Sequence, residues 1–185
     1  MFTTGLLLLS LAGCARPSVP SAVPKAAIAG PLAAVSNQEL MLNLVAPAAT
    51  DTWNLPEILT DPAQARKASP EEINSAWANV RRGAVTMTEV ANLLVMPDRK
   101  IVPDGGVAVG GKGYLLADQI AALKRSKRPA FLKAAKGLQD TGAAALAAAN
   151  RRDVPALLAG GLQIEDVCEA CHTQLWYPAA TAQEK

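Results

Sequence analysis

Residues 69–97 read SPEEINSAWANVRRGAVTMTEVANLLVMP. Ser69 and Glu72 stand at the spacing by which a hydroxyl and a carboxylate satisfy the free amides of a helix start, and Pro70 suits the first helical position. The apolar residues Ile73, Trp77, Val80, Ala84, Met87, Ala91 and Leu94 then alternate spacings of four and three as far as Pro97. That heptad pattern marks one face of a long helix and implies left-handed packing against helical neighbours.

The same signals recur on both sides. Upstream, Ser36 and Glu39 form a second capping box that opens onto Leu40, Met41, Leu44 and Val45. Pro47 should kink or stagger this helix, which runs past Trp53 until Pro56 and Pro62 break it. Downstream, residues 98–114 are glycine-rich. Gly106, Gly111 and Lys112 there match the spacing of a phosphate loop, but Gly113 replaces the Ser or Thr that would meet magnesium, so a plain surface loop is expected. A short helix from about Leu115 to Leu123 follows. A third long helix is predicted from Pro129 to Arg151, with Phe131, Ala134, Leu138, Thr141, Ala145 and Ala148 on its seam. The last starts near Asp153 and lines up Leu157, Gly161, Ile164, Cys168, Cys171 and Leu175. The expected fold is all-α, an antiparallel four-helix bundle. Half the residues are hydrophobic while only 4% are aromatic, which favours closely packed small-residue helices over a β-sandwich. A net charge of +2 argues against a nucleic-acid binder.

The last seam carries the chemistry. Cys168, Glu169, Ala170, Cys171 and His172 spell CxxCH, and His172 is the only histidine. This pattern reads as covalent attachment of one haem c: two thiols add across two vinyl groups, and the next residue gives an imidazole to the iron. On a helix, positions i, i+3 and i+4 share a face, so all three side chains can reach one porphyrin. Rival readings want more. Structural zinc takes four ligands, whereas the remaining cysteine is Cys14 and there is no second histidine. A thioredoxin-type pair sits beside a βαβ pattern, which is absent. A structural disulfide is the other reading of the pair.

Haem c is attached outside the bacterial cytoplasm, and the N-terminus is consistent with export. Leu6 to Ala12 form an apolar run of signal-peptide length, too short to span a bilayer. It ends Leu11-Ala12-Gly13-Cys14, which resembles a bacterial lipobox. That resemblance implies cleavage before Cys14 and acylation of its thiol, with stable anchoring by the acyl chains. An ordinary cleaved signal is the alternative. Met1 to Thr4 carry no cation where signal n-regions ordinarily do, as expected if translation starts further upstream. The expected organisation is a lipoprotein signal peptide over residues 1–13, a Pro/Ala/Ser-rich flexible tether over 14–35, and a haem-binding bundle over 36–185.

A CxxCH near the end of the last helix of a four-helix bundle resembles the class II cytochromes c, the cytochrome c′ group. The chain is also similar to proteobacterial monohaem proteins over roughly residues 36–178. The likeness is carried by Leu40, Met41, Pro47, Ala48 and Trp53, by Ala91 to Leu94, and by Cys168 to His172 with Trp176, Tyr177 and Pro178. In low-spin members it implies a methionine of the first helix as the second axial ligand, and in cytochrome c′ an apolar residue there and five-coordinate iron. Antiparallel topology brings Met41, Met87, Met96 and Phe131 toward the haem end. Met41 matches the level of His172 best and is the expected ligand, with Leu44 or Val45 as apolar lid otherwise. Trp176, one turn beyond His172, is expected against the haem, while Trp77 reads as core. Trp53 and Tyr177 are further candidates for the pocket wall. Lys124, Arg125, Lys127 and Arg128 form a basic cluster that pairs propionates, steers an acidic redox partner, or is simply solvated.

The expectation is therefore a lipid-tethered electron carrier facing the periplasm, with redox proteins as partners and a homodimer implied by the family likeness. The alternative is binding of nitric oxide or carbon monoxide at an open iron. Catalysis is not expected, because the sole histidine is used on the near side and no distal acid or base is evident.

Overall fold

The structure is a computed structural model that describes residues 32–178. The proposed signal peptide, Cys14 and the tether up to residue 31 lie outside the described residues. Within them the chain is helical, without a strand, and no helix is long and apolar enough to cross a membrane.

Ser36 caps the first helix as its capping box predicts: its amide donates to Glu39 Oε2 at 2.8 Å and its Oγ accepts from the Glu39 amide at 3.2 Å. The helix begins as α1 (Asn37–Leu40), widens into a π-helical turn (Met41–Val45) and continues as α2 (Ala46–Trp53). Pro47 supplies the reason. It has no amide hydrogen for the Asn43 carbonyl and its ring crowds that oxygen. The turn before it therefore takes an extra residue, and the Ala46 amide donates to the Met41 carbonyl, five residues back. The disturbance expected at Pro47, a kink or a stagger, takes the form of this wider turn.

Two short turns, α3 (Glu57–Thr60) and α4 (Pro62–Ala65), lead to α5 (Pro70–Leu94), which opens on the Ser69–Glu72 box. Then come α6 (Ala117–Ser126), α7 (Arg128–Arg151) and α8 (Val154–Leu175). The short helix thus starts and ends later than expected, with Gln119 Oε1 accepting from the Leu116 amide at its start.

The heptad faces become the interior. On α5, Trp77, Val80, Ala84, Met87, Ala91 and Leu94 are buried, and on α7 Phe131, Leu138, Thr141, Ala145 and Ala148. Helix α5 packs on α2 and α7, α7 also on α8, and α8 on α2. Small residues allow close approach. A Cβ on Gly83 would lie 2.7 Å from the Ala48 carbonyl oxygen of α2, and one on Gly142 would lie 2.6 Å from the Thr88 amide of α5. One core cluster joins the C-terminal parts of α5 and α8 to the start of α7 and to α1 and α2. The other joins the start of α5, the end of α7 and the start of α8. Neighbouring helices on this pattern run in opposite directions.

Candidate functional site

Cys168, Cys171 and His172 lie at the C-terminal end of α8, where their stripe meets the first core cluster. Both cysteines are half-buried free thiols. Burial and the carboxylates of Glu165 and Glu169 push the Cys168 thiol above its ordinary range. Burial, then Cys168, pushes Cys171 to about 11. Thiols held protonated are the opposite of the activated thiolates that redox pairs use. Burial also lowers the pKa of His172, opposed in part by Glu169, which keeps the imidazole neutral near pH 7. Among the described residues no hydrogen bond occupies its ring nitrogens.

Two adjoining clefts share Met41, Leu94, Phe131, Cys171 and His172 on their walls. The outer adds Ile101, Ala108, Ile120, Leu175 and Trp176; the inner adds Val45, Leu138, Val167 and Cys168. Asn37, Gln38 and Lys124 add polar groups to the outer cleft, and the inner cleft is apolar apart from His172 and the two thiols. Met41 thus stands on the same cavity as His172, although the two come from opposite ends of the chain. The π-helical turn arranges this. Leu40 and Val45, five residues apart, are both buried, while Leu44 is 38% exposed. Leu44 is therefore not available as a lid, because the extra residue in the turn rotates it to solvent; Val45 takes the inward position.

The other sequence candidates divide. Met87 is wholly buried in the core, where its sulfur accepts from the Thr52 hydroxyl at 3.5 Å. Met96 faces a neighbouring hollow and accepts from Arg99 at 3.1 Å. Neither lines the His172 clefts. Trp77 is core, as expected. Trp53 is not on the pocket wall: its Cβ lies against Gly161, about 16 Å along α8 from His172 at the helical rise. Gly106, Gly111 and Lys112 do not lead into a helix N-terminus, since α6 begins only at Ala117.

Trp176 meets the His172 ring edge-on, with centroids 5.0 Å apart, and its Nε1–H donates to the Val109 carbonyl at 2.9 Å. Tyr177 lies 6.0 Å from the same imidazole and donates to Glu169 Oε2 at 2.5 Å. Burial and that bond push its phenol upward. Tyr114 completes the cluster, 6.2 Å from Trp176 and 5.0 Å from Tyr177. Tyr114 was not legible as a site residue.

Nor was its loop. Residues 95–116 wall the outer cleft rather than merely crossing the surface. The amides of Asn37 and Gln38 donate to the carbonyls of Lys100 and Ile101 at 2.8 and 2.9 Å, the Val109 amide donates to Gln38 Oε1 at 2.8 Å, and the Leu115 amide to the Trp176 carbonyl at 2.9 Å. The available signal was length, since long irregular segments in compact domains tend to be functional.

No group of three or more His, Cys, Asp or Glu side chains among the described residues is placed to hold a metal ion by itself. One imidazole and one thioether do face a common space. The chain matches no protein-family model, no curated protein and no solved structure.

Proposed function

We propose that this chain is a monohaem c-type cytochrome: an antiparallel four-helix bundle with haem c on α8, tethered through lipid on Cys14 at the periplasmic side of a bacterial membrane, where it carries electrons between redox proteins. One observation carries the reading. Cys168, Cys171, a neutral His172 and Met41 converge on the inner of the two clefts.

The donor set fits this prosthetic group and fits others poorly. A tetrapyrrole brings its own four nitrogens, so the protein need add only axial ligands, and the absence of a multidentate cluster among the described residues is no obstacle. Each thiol adds its S–H across one vinyl double bond, giving a thioether with no oxidant or leaving group. Both thiols, protonated and facing the cavity, are in the right state. When bound, the haem supplies an iron that takes up and gives back one electron.

The chain's own residues do the rest. His172 offers a nitrogen lone pair because burial keeps it neutral. Trp176 and Tyr177 fix the plane of that ring by contact. Met41 offers a thioether from the first residue of the π-helical turn, and methionine with histidine raises a reduction potential. Leu94, Phe131, Val45 and Leu138 keep water away, which limits solvent reorganisation during transfer.

The test is expression of the full chain in a host competent to mature c-type cytochromes. The expected protein has the mass of polypeptide plus one haem and, when reduced, a low-spin spectrum indifferent to carbon monoxide. Met41→Ala should make it high-spin and sensitive to that gas. A wild-type spectrum already high-spin and gas-sensitive would replace electron transfer with gas binding at a five-coordinate iron. A mass equal to the bare polypeptide would refute the haem reading itself.

A further inference from the structure

Beside the cleft that contains His172 lies a second, solvent-open hollow of about 760 Å³, lined by Arg99, Lys124, Arg125 and Arg128. Lys124 and Ile101 line both spaces. The ion pairs among the described residues are Arg82–Asp51, Lys100–Asp104, Lys136–Asp140 and Arg151–Asp153, so none of these four cations has a carboxylate partner there. Asp98 borders the hollow but pairs with none of them.

The cations are held in place by neutral groups. Arg99, 6% exposed, gives its guanidinium to the carbonyls of Leu93 and Val35 and to the Met96 sulfur. Arg128 donates to the Val95 carbonyl at 2.7 Å and Lys124 to Asn37 Oδ1 at 2.7 Å. Both also sit against the Phe131 ring, at 5.1 Å for Lys124 and 5.6 Å for Arg128. Burial, then the neighbouring Arg128 and Arg99, drives the Lys124 ammonium down to about 8. An ammonium has three donors and a guanidinium five, so among the described residues Lys124 and Arg128 retain unused ones and Arg125 has no hydrogen-bond or ion-pair partner. Gathering like charges in a partly buried place is costly unless an anion enters.

We propose that Lys124, Arg125 and Arg128, backed by Arg99, form a carboxylate-binding pocket. The inference rests on the haem reading in one respect: that reading makes the propionate carboxylates of the haem the nearest source of such an anion. Small free carboxylates are the other source.

The experiment uses the haem-loaded full chain. Acetate and succinate are titrated while backbone amide shifts are followed by NMR. Reduction potentials are compared for wild type, the Lys124→Gln/Arg128→Gln double variant and Arg125→Gln, whose exposed side chain makes no contact that folding needs. If propionates fill the pocket, wild type ignores both probes, while the double variant has a lower potential, because the lost cations favoured the reduced state. That drop persists at high salt, since bonded pairs are poorly screened. If free carboxylates fill it, both probes bind wild type saturably and the double variant roughly tenfold or more weakly, with Arg125→Gln intermediate. No binding together with an unmoved potential in both variants overturns the proposal. A protein isolated without haem is told apart by its mass, and the carboxylate titration is still decisive on it.

Discussion

Two methionines of this chain share a side chain and little else. Met87 is wholly enclosed in the core, so Met87→Ala leaves a void and should cost about 2–5 kcal/mol. A denaturant titration measures that loss, and on the haem reading the spectrum should not change. Met41 is only half-buried and borders a cavity already. On the haem reading its replacement should alter the spectrum, which Met87→Ala leaves alone. An unchanged spectrum with Met41→Ala would make it a packing residue and not a ligand. Trp176 acts through its indole N–H: Trp176→Phe keeps the ring but drops the bond to the Val109 carbonyl, about 0.5–1.5 kcal/mol. The loss should appear as faster amide exchange in residues 95–116, which that bond helps to hold.

Single elements carry two further consequences. Pro47 denies the Asn43 carbonyl its α-helical partner and so favours the π-helical turn, and Pro47→Ala, which returns that amide, lets an ordinary α-helix re-form. Dropping one residue from the turn rotates α1 by about 100° relative to α2. Leu44 would swing inward and Met41 off the cavity. On the haem reading the expected result is loss of the low-spin spectrum with helicity retained, and an unchanged spectrum would show that the turn does not place Met41. The two capping boxes make the fold acid-sensitive. Hydrogen bonds from the Ser36 and Ser69 amides, then their hydroxyls, hold Glu39 and Glu72 below the ordinary range of a glutamate carboxyl. Because the folded pKa lies under the unfolded one, this stabilisation is fully present above the unfolded pKa and disappears as pH falls through the folded pKa. Glu72→Gln should therefore melt lower than wild type at neutral pH, with the gap closing in acid. A gap that stays constant with pH would show that the carboxylate charge contributes nothing.

At the scale of the whole molecule, helix spacing rests on absent side chains. Gly142→Ala would put a methyl 2.6 Å from the Thr88 amide of α5, and the two helices must separate to admit it. A cost of about 1–3 kcal/mol is expected for such overpacking. Gly160→Ala, which meets nothing within 4 Å, should be neutral or stabilising in the same thermal melt.

Most of the helical layout was legible residue by residue, because caps, prolines and a heptad period act within one or two turns. Ser69, Pro70 and the seam to Leu94 specify α5 with no reference to the rest of the chain. Cys168, Cys171 and His172 are equally local, being one stripe of one helix. Other features could not be read that way. Pro47 announces a disturbance, but whether it becomes a kink or a π-helical turn depends on the packing of Leu40, Val45 and Ala48 against α5. Trp176 stands four residues beyond His172, so its contact with that ring is local and legible, whereas only tertiary packing sets Trp53 against Gly161 and away from the clefts. Tyr114 and the loop of residues 95–116 join the site through hydrogen bonds to α1 and α8, across separations in the chain that no short pattern spans. By itself, then, the sequence determined which segments are helical, which faces are apolar and where the thiols and imidazole sit on α8. The tertiary structure decided which methionine faces that imidazole, which loop closes the cleft and which cations gather beside it, since these depend on how separate elements meet.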